Sequence, residues 1–201
     1  MAITNGYATL AQVKSALRIS DAIDDSILEM AVEAASRAID GHAARYFYSS
    51  GTATRLYAAD DSFVVQTDDI AGTAIVLQTS SAGDGIFDTT FAPIDYQLEP
   101  LNGNVDGLPV PFTRIRAVEN YLFPVEVEQA LVKVTAVFGW ASVPIAITQA
   151  TIIQASRIYK RLESPLGVAG FGELGAISVT RDLDPDVAQL VAPYRRLRNF
   201  A

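Results

Sequence analysis

The chain has 201 residues, half of them hydrophobic and 19% charged, with a formal charge of −8. That is long enough to bury a core without disulfide or metal staples, and too ordinary in composition for a disordered or fibrous protein. Cys is absent and His42 is the single histidine, which excludes thiol nucleophiles and thiolate metal sites and removes a member from most histidine-based catalytic templates.

The charge is unevenly spread. Residues 1–50 carry 4 basic and 6 acidic side chains, residues 51–141 carry 4 and 12, and residues 142–201 carry 7 and 5. A dedicated DNA binder neutralises phosphates with a basic patch; here only Arg195, Arg196 and Arg198 cluster. No apolar run approaches the roughly 18 residues of a membrane span. The opening MAITNGYATL lacks the basic and apolar regions of a secretion signal, so the expectation is a cytosolic product with no membrane partner.

In chain order, Thr9-x-x-Gln12 has capping-box spacing and predicts a short helix over about 10–19. Ser26-x-x-Glu29 repeats the pattern ahead of Leu28, Ala31, Ala35, Ala38, Ile39 and His42 at helical spacing. The aromatic exit Arg45-Tyr46-Phe47-Tyr48 then meets Ser49-Ser50-Gly51, a boundary signal. From 52 to about 140 the pattern changes to short β-type runs, TRLYA, SFVVQ, TAIVLQT, DYQLEP and ALVKVTAVFGW. Turns are marked by Asp60-Asp61, by Ser81 to Gly85 and by Asn102-Gly103-Asn104. Helix returns at Pro144, with Ile147, Thr151, Ala155, Ile158 and Leu162 on one face, and ends at Ser164-Pro165. A Gly-rich stretch leads to the strand-like AISVTR, and Asp184-Pro185 opens a last short helix that ends near Pro193. The fold class expected is α+β: a helical bundle core from residues 1–50 and 142–201, with a small antiparallel sandwich or barrel-like module, 51–141, inserted in it.

Four motifs carry possible chemistry. Gly170 to Gly175 matches G-x-G-x-x-G, but it follows a helix and precedes a strand-like run, the wrong context for a dinucleotide fingerprint; a loop ordered against a partner fits better. The pairs Asp60-Asp61 and Asp68-Asp69 have oxygen donors suited to Mg²⁺, yet adjacent strand residues point to opposite faces, so turns and strand ends are the better reading. Gly83-Asp84-Gly85 with Asp88 lacks the alternating ligands and terminal Glu of an EF-hand and reads as a hairpin turn. His42, beside Arg45 at a helix end, reads as a packed or dipole-facing residue. No catalytic, cofactor or metal residues are assigned. Tyr194-Arg195-Arg196-Leu197-Arg198-Asn199-Phe200 mixes Arg with aromatics, the residue types enriched at interface cores.

Three stretches together resemble the tailed-phage head–tail connector (adaptor or neck) family, including its relatives in gene transfer agents. They are YATLAQVKSALRI with DDSILEMAVEAASRAIDGHAARYFY, then VFGWASVPIAITQATIIQASRIYKRLESPLGVAGFGELG, then RDLDPDVAQLVAPYRR, together about half the chain. The resemblance implies a non-enzymatic virion protein, made in the host cytoplasm and placed at the neck. It forms a ring, commonly of about twelve copies, that joins the portal protein to a stopper or tail-completion protein and passes double-stranded DNA without binding it specifically. By the same resemblance the portal-facing segment is the C-terminal one, with Tyr194, Arg195, Arg196, Arg198 and Phe200 as its contacts. Gly167, Gly170, Phe171, Gly172, Glu173 and Gly175 are expected to contact a neighbouring subunit or the stopper. Competing readings are another minor head or tail-completion protein, which a tail-tube partner would favour, and a metal-dependent hydrolase using the acidic β block, which bound metal with turnover would favour.

Overall fold

Thr9 opens the first helix in the way its spacing predicts. Its hydroxyl accepts from the Gln12 amide at 3.2 Å while the Gln12 side chain accepts from the Thr9 amide at 2.7 Å. The resulting helix, α1 (Leu10–Leu17), stops at Arg18 in the left-handed conformation, sooner than the pattern suggested. These observations come from a computed structural model describing residues 2–118, 120–125, 129–163, 168–170, 176–178 and 183–196. The chain is mixed α+β and divides into two units, one built from residues 1–47 and 143–201 and the other from residues 48–142.

In the first unit, α2 (Asp25–Ala43) begins two residues before the position expected from Ser26-x-x-Glu29. Its ladder starts at the Asp24 carbonyl, which accepts from Leu28 at 2.9 Å, so Ser26 already lies inside the first turn and cannot cap it. Helix α3 (Ile145–Glu163) follows Pro144, whose carbonyl accepts from Thr148 at 3.0 Å. Ile147, Thr151 and Ala155 are buried as the spacing predicts, the Thr151 hydroxyl donating to the Ile147 carbonyl at 2.9 Å. Leu162 is instead 61% exposed, because the buried stripe ends a turn earlier. The last helix, α4 (Pro185–Val191), has Asp184 as its cap, accepting from Asp186 at 2.9 Å, and Pro185 at its first position. It runs into one 3-10 turn, Ala192–Tyr194.

Helices α2 and α3 pack together, α1 rests on both, and α4 rests mainly on α3. Ala31, Ala35 and Ala155 sit among Val13, Leu28 and Val32, and their small side chains permit close helix approach. Two polar ties fix the layers: Tyr159 donates to Asp24 at 2.7 Å, and Lys14 pairs with Asp25.

Among its described residues the second unit contains nine strands: β1 (Thr52–Tyr57), β2 (Val64–Ile70), β3 (Val76–Thr79), β4 (Thr89–Phe91), β5 (Tyr96–Glu99), β6 (Asn104–Val105), β7 (Leu108–Pro109), β8 (Phe112–Ala117) and β9 (Val132–Val137). They form a four-stranded sheet β1-β9-β3-β4, a three-stranded sheet β2-β8-β5 and the hairpin β6-β7, with every named pair antiparallel. The first and last strands pair from Thr52↔Val137 to Tyr57↔Val132, so the chain enters and leaves this unit side by side. Gly139 makes the exit: its φ is +103, and a Cβ there would lie 2.0 Å from the Tyr48 carbonyl oxygen. Alternating Val132, Val134 and Ala136 on β9 meet Val65, Leu77, Ile115, Phe123 and Phe138 in one cluster drawn from both larger sheets. Phe91 and Phe123 stack within it, ring centroids 5.5 Å apart.

Strands β4, β8 and the β6–β7 hairpin are additional to the five runs read from the sequence. The hairpin turn is Asp106-Gly107, both with positive φ as a primed turn requires, whereas Asn102 and Gly103 precede its first strand. In the first unit, β10 (Val168–Gly170) pairs antiparallel with β11 (Ala176–Ser178).

Candidate interaction surfaces

The C-terminal segment is held to its unit by specific contacts. Arg157 on α3 pairs with Asp184 at 2.8 Å, placing the start of α4, and Val187 and Val191 turn into the core. Tyr194 is 1% exposed and meets the Phe47 ring edge-on at 5.9 Å. Arg196 donates its backbone N–H to the Ala43 carbonyl at 2.8 Å. Tyr194 is therefore an internal anchor of the tail, and the side chain it delivers to the surface is that of Arg195, which is exposed. Arg198 and Phe200 lie outside the described residues, as do Gly167, Phe171, Gly172, Glu173 and Gly175. Gly170 ends β10, so the G-x-G-x-x-G run has a strand on either side and no helix after it; the phosphate-cradling context is missing.

Phe47, which receives Tyr194, is itself fixed by a polar knot that sequence reasoning did not find. Tyr7 donates its hydroxyl to Asp40 and accepts the Phe47 N–H at 2.9 Å, and its ring meets Phe47 edge-on at 5.7 Å. Arg37 pairs with Asp40 at 2.9 Å and lies over the Tyr7 ring. The segment before α1 is stapled along α2: Glu33 accepts from the Thr4 and Asn5 amides at 2.6 and 3.1 Å, and the Ser36 hydroxyl accepts from Tyr7 at 3.1 Å. Asp40 is 6% exposed, and burial pushes its carboxyl up to about 6 against the opposing effects of the Tyr7 hydrogen bond and the Arg37 charge. Burial also raises the Tyr7 hydroxyl, with the Asp40 contact adding to it. Glu33, Ser36, Arg37 and Asp40 recur at helical spacing, a signal for one polar edge of α2, but nothing in the sequence names Tyr7 as their partner.

Among the described residues of the second unit, Asp60, Asp61, Asp68, Asp84, Asp88 and Glu99 are engaged in turns and ion pairs. Asp60 accepts from Gln66 at 2.8 Å, and Asp61 accepts from Phe63 and Val64 at 2.7 and 2.9 Å. Asp68 is exposed and pairs with Arg55 and the Tyr57 hydroxyl, whereas Asp69 is 5% exposed on the other face. Burial, with the Asp68 charge beside it, pushes Tyr57 up to about 12. Asp84 accepts from Ser80 and Ile86, and Asp88 from Ser81, whose hydrogen bonds hold the Asp88 carboxyl below its usual range. Glu99 lies between Arg116 at 2.7 Å and Arg114 at 3.3 Å, and Arg116 above all lowers its carboxyl. Among the described residues no group of three or more His, Asp or Glu side chains is placed to hold a metal. His42 is half-buried in the last turn of α2.

A cleft of about 440 Å³ in the first unit is lined by Ile3, Thr4, Gly6, Thr9, Gln12 and Thr148 among others. The one titratable side chain among its lining residues is Tyr7, whose hydroxyl is already committed to Asp40 and Phe47. The cleft thus offers neither acid, base nor charged ligand anchor.

No protein-family model matches the sequence, and no curated protein matches it. Solved structures do share the fold. A chain from the neck of an empty gene transfer agent (GTA) particle, computed with C6 symmetry, superposes with a TM-score of 0.57 at 19% identity, covering 100% of this chain and 95% of its own. A chain from the neck of a native GTA particle, computed with C12 symmetry, gives 0.56 at 19% identity, with coverage of 100% and 94%. The fold, both units included, is therefore one that occurs in the neck of gene transfer agent particles.

Proposed function

We propose that this chain is a structural neck protein that assembles into a ring of about twelve copies at the head–tail junction of a virus-like particle. The ring would join the portal protein to a stopper or tail-completion protein and extend the channel for double-stranded DNA. One observation carries the reading: the chain is similar over its full length to two neck structures, one of them with twelve-fold symmetry.

Each part of the chain then has a task. The anchored tail presents Arg195 and Arg196 toward the portal, with Arg198 and Phe200 continuing the contact, and Tyr194 holds its angle through Phe47. The Gly167 to Gly175 segment contacts the adjacent subunit or the stopper. The acidic module keeps DNA from sticking: twelve copies at −8 carry a formal −96, and carboxylates facing a lumen repel phosphates so that the duplex slides.

Co-expression with the portal protein of the same particle tests the reading. The chain is expected to co-purify as a ring on the portal, and Arg195→Ala with Arg196→Ala is expected to abolish capture while leaving the helical circular dichroism intact. Full capture by the double variant would overturn the assignment of the tail. Capture by a tail tube and not by the portal would replace the connector reading with that of a tail-completion protein.

A further inference from the structure

Asn102-Gly103 is one of two Asn-Gly steps in the chain, the other being Asn5-Gly6. Such a step is chemically exposed, because the backbone nitrogen after an asparagine can attack the side-chain amide carbon and close a five-membered imide. Glycine leaves that nitrogen unobstructed. Asn104, Asn120 and Asn199 are followed instead by Val105, Tyr121 and Phe200, whose side chains crowd the attack. The spacing of Asn102-Gly103 suggests a turn, yet the hairpin reverses at Asp106-Gly107, so the pair is not there to make that turn.

The fold treats the two steps differently. Asn5 is tied on both sides: its N–H donates to Glu33 at 3.1 Å, and its carbonyl accepts from Arg37 at 2.9 Å. Gly6 beside it is wedged, since a Cβ there would lie 2.5 Å from Ile3 and 2.8 Å from Val32. Closing the imide at Asn5 turns the Asn5-Gly6 peptide, which breaks the Arg37 bond and lifts Gly6 from its seat. Asn102 is exposed, next to the 63% exposed Leu101. Among the described residues no hydrogen bond holds its N–H, its carbonyl or its side chain, nor the Gly103 N–H. Gly103 is fixed from its far side: its carbonyl accepts from Val110 at 3.1 Å, and a Cβ would lie 2.3 Å from Val110 and 2.6 Å from Pro100. Packing therefore demands glycine at 103, and an untied asparagine rotates against a seated nitrogen.

We propose that Asn102 is a self-modification site, converted through an imide with Gly103 to aspartate and isoaspartate while Asn5 is protected by its contacts along α2. The Gly103 nitrogen bonds to Asn102 Cγ, the Cγ–Nδ2 bond breaks, and the proton displaced from the Gly103 nitrogen leaves with the departing ammonia. One water then opens the imide at either carbonyl. Opening at the side-chain carbonyl gives aspartate; opening at the main-chain carbonyl gives isoaspartate, with the backbone routed through the former side chain. Each event adds one carboxylate to residues 51–141, which already carry 12 acidic and 4 basic side chains. The inference is independent of the ring reading.

The test is incubation of the full chain at mildly alkaline pH, folded and in guanidinium chloride, followed by peptide mapping. Trypsin places Asn5 in the peptide 1–14 and Asn102 in 56–114, and fragmentation locates the mass gain of an amide-to-acid change. Asp84-Gly85 and Asp106-Gly107 can isomerise through the same ring by losing water, but without a change in mass. In the folded chain Asn102 is expected to convert at least about tenfold faster than Asn5, the hydrogen bonds at Asn5 having to break before its ring can close. In denaturant the two rates are expected to converge. An Asn102 that stays as intact as Asn5 in the folded chain would overturn the proposal, and so would a rate ratio unchanged by unfolding. Asn102→Gln, whose longer side chain would need a six-membered ring, is expected to abolish the mass gain in 56–114; a gain that persists would place the reaction at Asn104 and refute the assignment.

Discussion

Asp40 offers a quantitative check on the core of the helical unit. Its carboxyl is 6% exposed and pushed up to about 6 by burial, against about 3.9 in an unfolded chain. Below about pH 4 the group is protonated in both states. Between about 4 and 6 the folded chain keeps a proton that the unfolded chain has released, so stability falls as pH rises through that window. Above about 6 the charged carboxylate is a full penalty, and a carboxyl raised from about 4 to about 6 on folding costs roughly 3 kcal/mol there. Asp40→Asn keeps an acceptor for the Tyr7 hydroxyl while removing the titration. The assay is urea unfolding of both proteins from pH 4 to 7.5, followed by circular dichroism at the helix band. All four described α-helices lie in this unit, whereas Trp140 reports on the other one. The stability of Asp40→Asn minus that of the wild type is expected to grow by roughly 2.4 kcal/mol from pH 4 to pH 7.5, whatever its offset at pH 4. A difference that stays flat with pH would refute the account of a desolvated carboxylate.

The same knot predicts that Tyr7→Phe, which strips a donor from Asp40 and an acceptor from the Phe47 N–H, lowers stability by about 2–4 kcal/mol. Because Phe47 seats Tyr194, hydrogen exchange in residues 183–196 is expected to accelerate as well, and unchanged exchange there would separate the tail from the knot. Gly139→Ala should damage the β unit severely, by about 3 kcal/mol or more, since it combines a positive φ with a backbone clash; Trp140 fluorescence during unfolding reads it. Asp184→Ala removes both the α4 cap and the Arg157 partner and is expected to cost about 1–2 kcal/mol, with a matching rise in proteolysis of the tail. A loss below a few tenths would mean that the cap is not formed in solution.

Local chemistry was the most legible part of the molecule. Thr9 with Gln12 and Asp184 with Pro185 announce helix starts because capping depends on residues a few positions apart. Ser26 misleads for the same reason: its spacing is right, but Asp24, just before it in the chain, provides the first ladder acceptor. Strand β8 escaped notice although it forms the centre of a sheet, since Arg114 and Arg116 line its outer face and Pro109 and Pro111 precede it, so its apolar residues never form a run. The Tyr7–Asp40 contact spans 33 residues and Tyr194 reaches Phe47 across most of the chain. Burial of an acid at that range leaves no periodic trace. Tyr194 could be picked out as an anchor, but whether it anchors to a partner or to its own core depends on packing that sequence pattern does not encode.

The central claim is assembly, and native mass spectrometry of the full chain with negative-stain imaging across concentration, alone and with the portal protein, tests it most directly. One chain weighs 21.5 kDa, so the account predicts closed rings near 258 kDa, twelve times that mass, formed alone or on the portal. A 21.5 kDa species at every concentration, with and without portal, would contradict it.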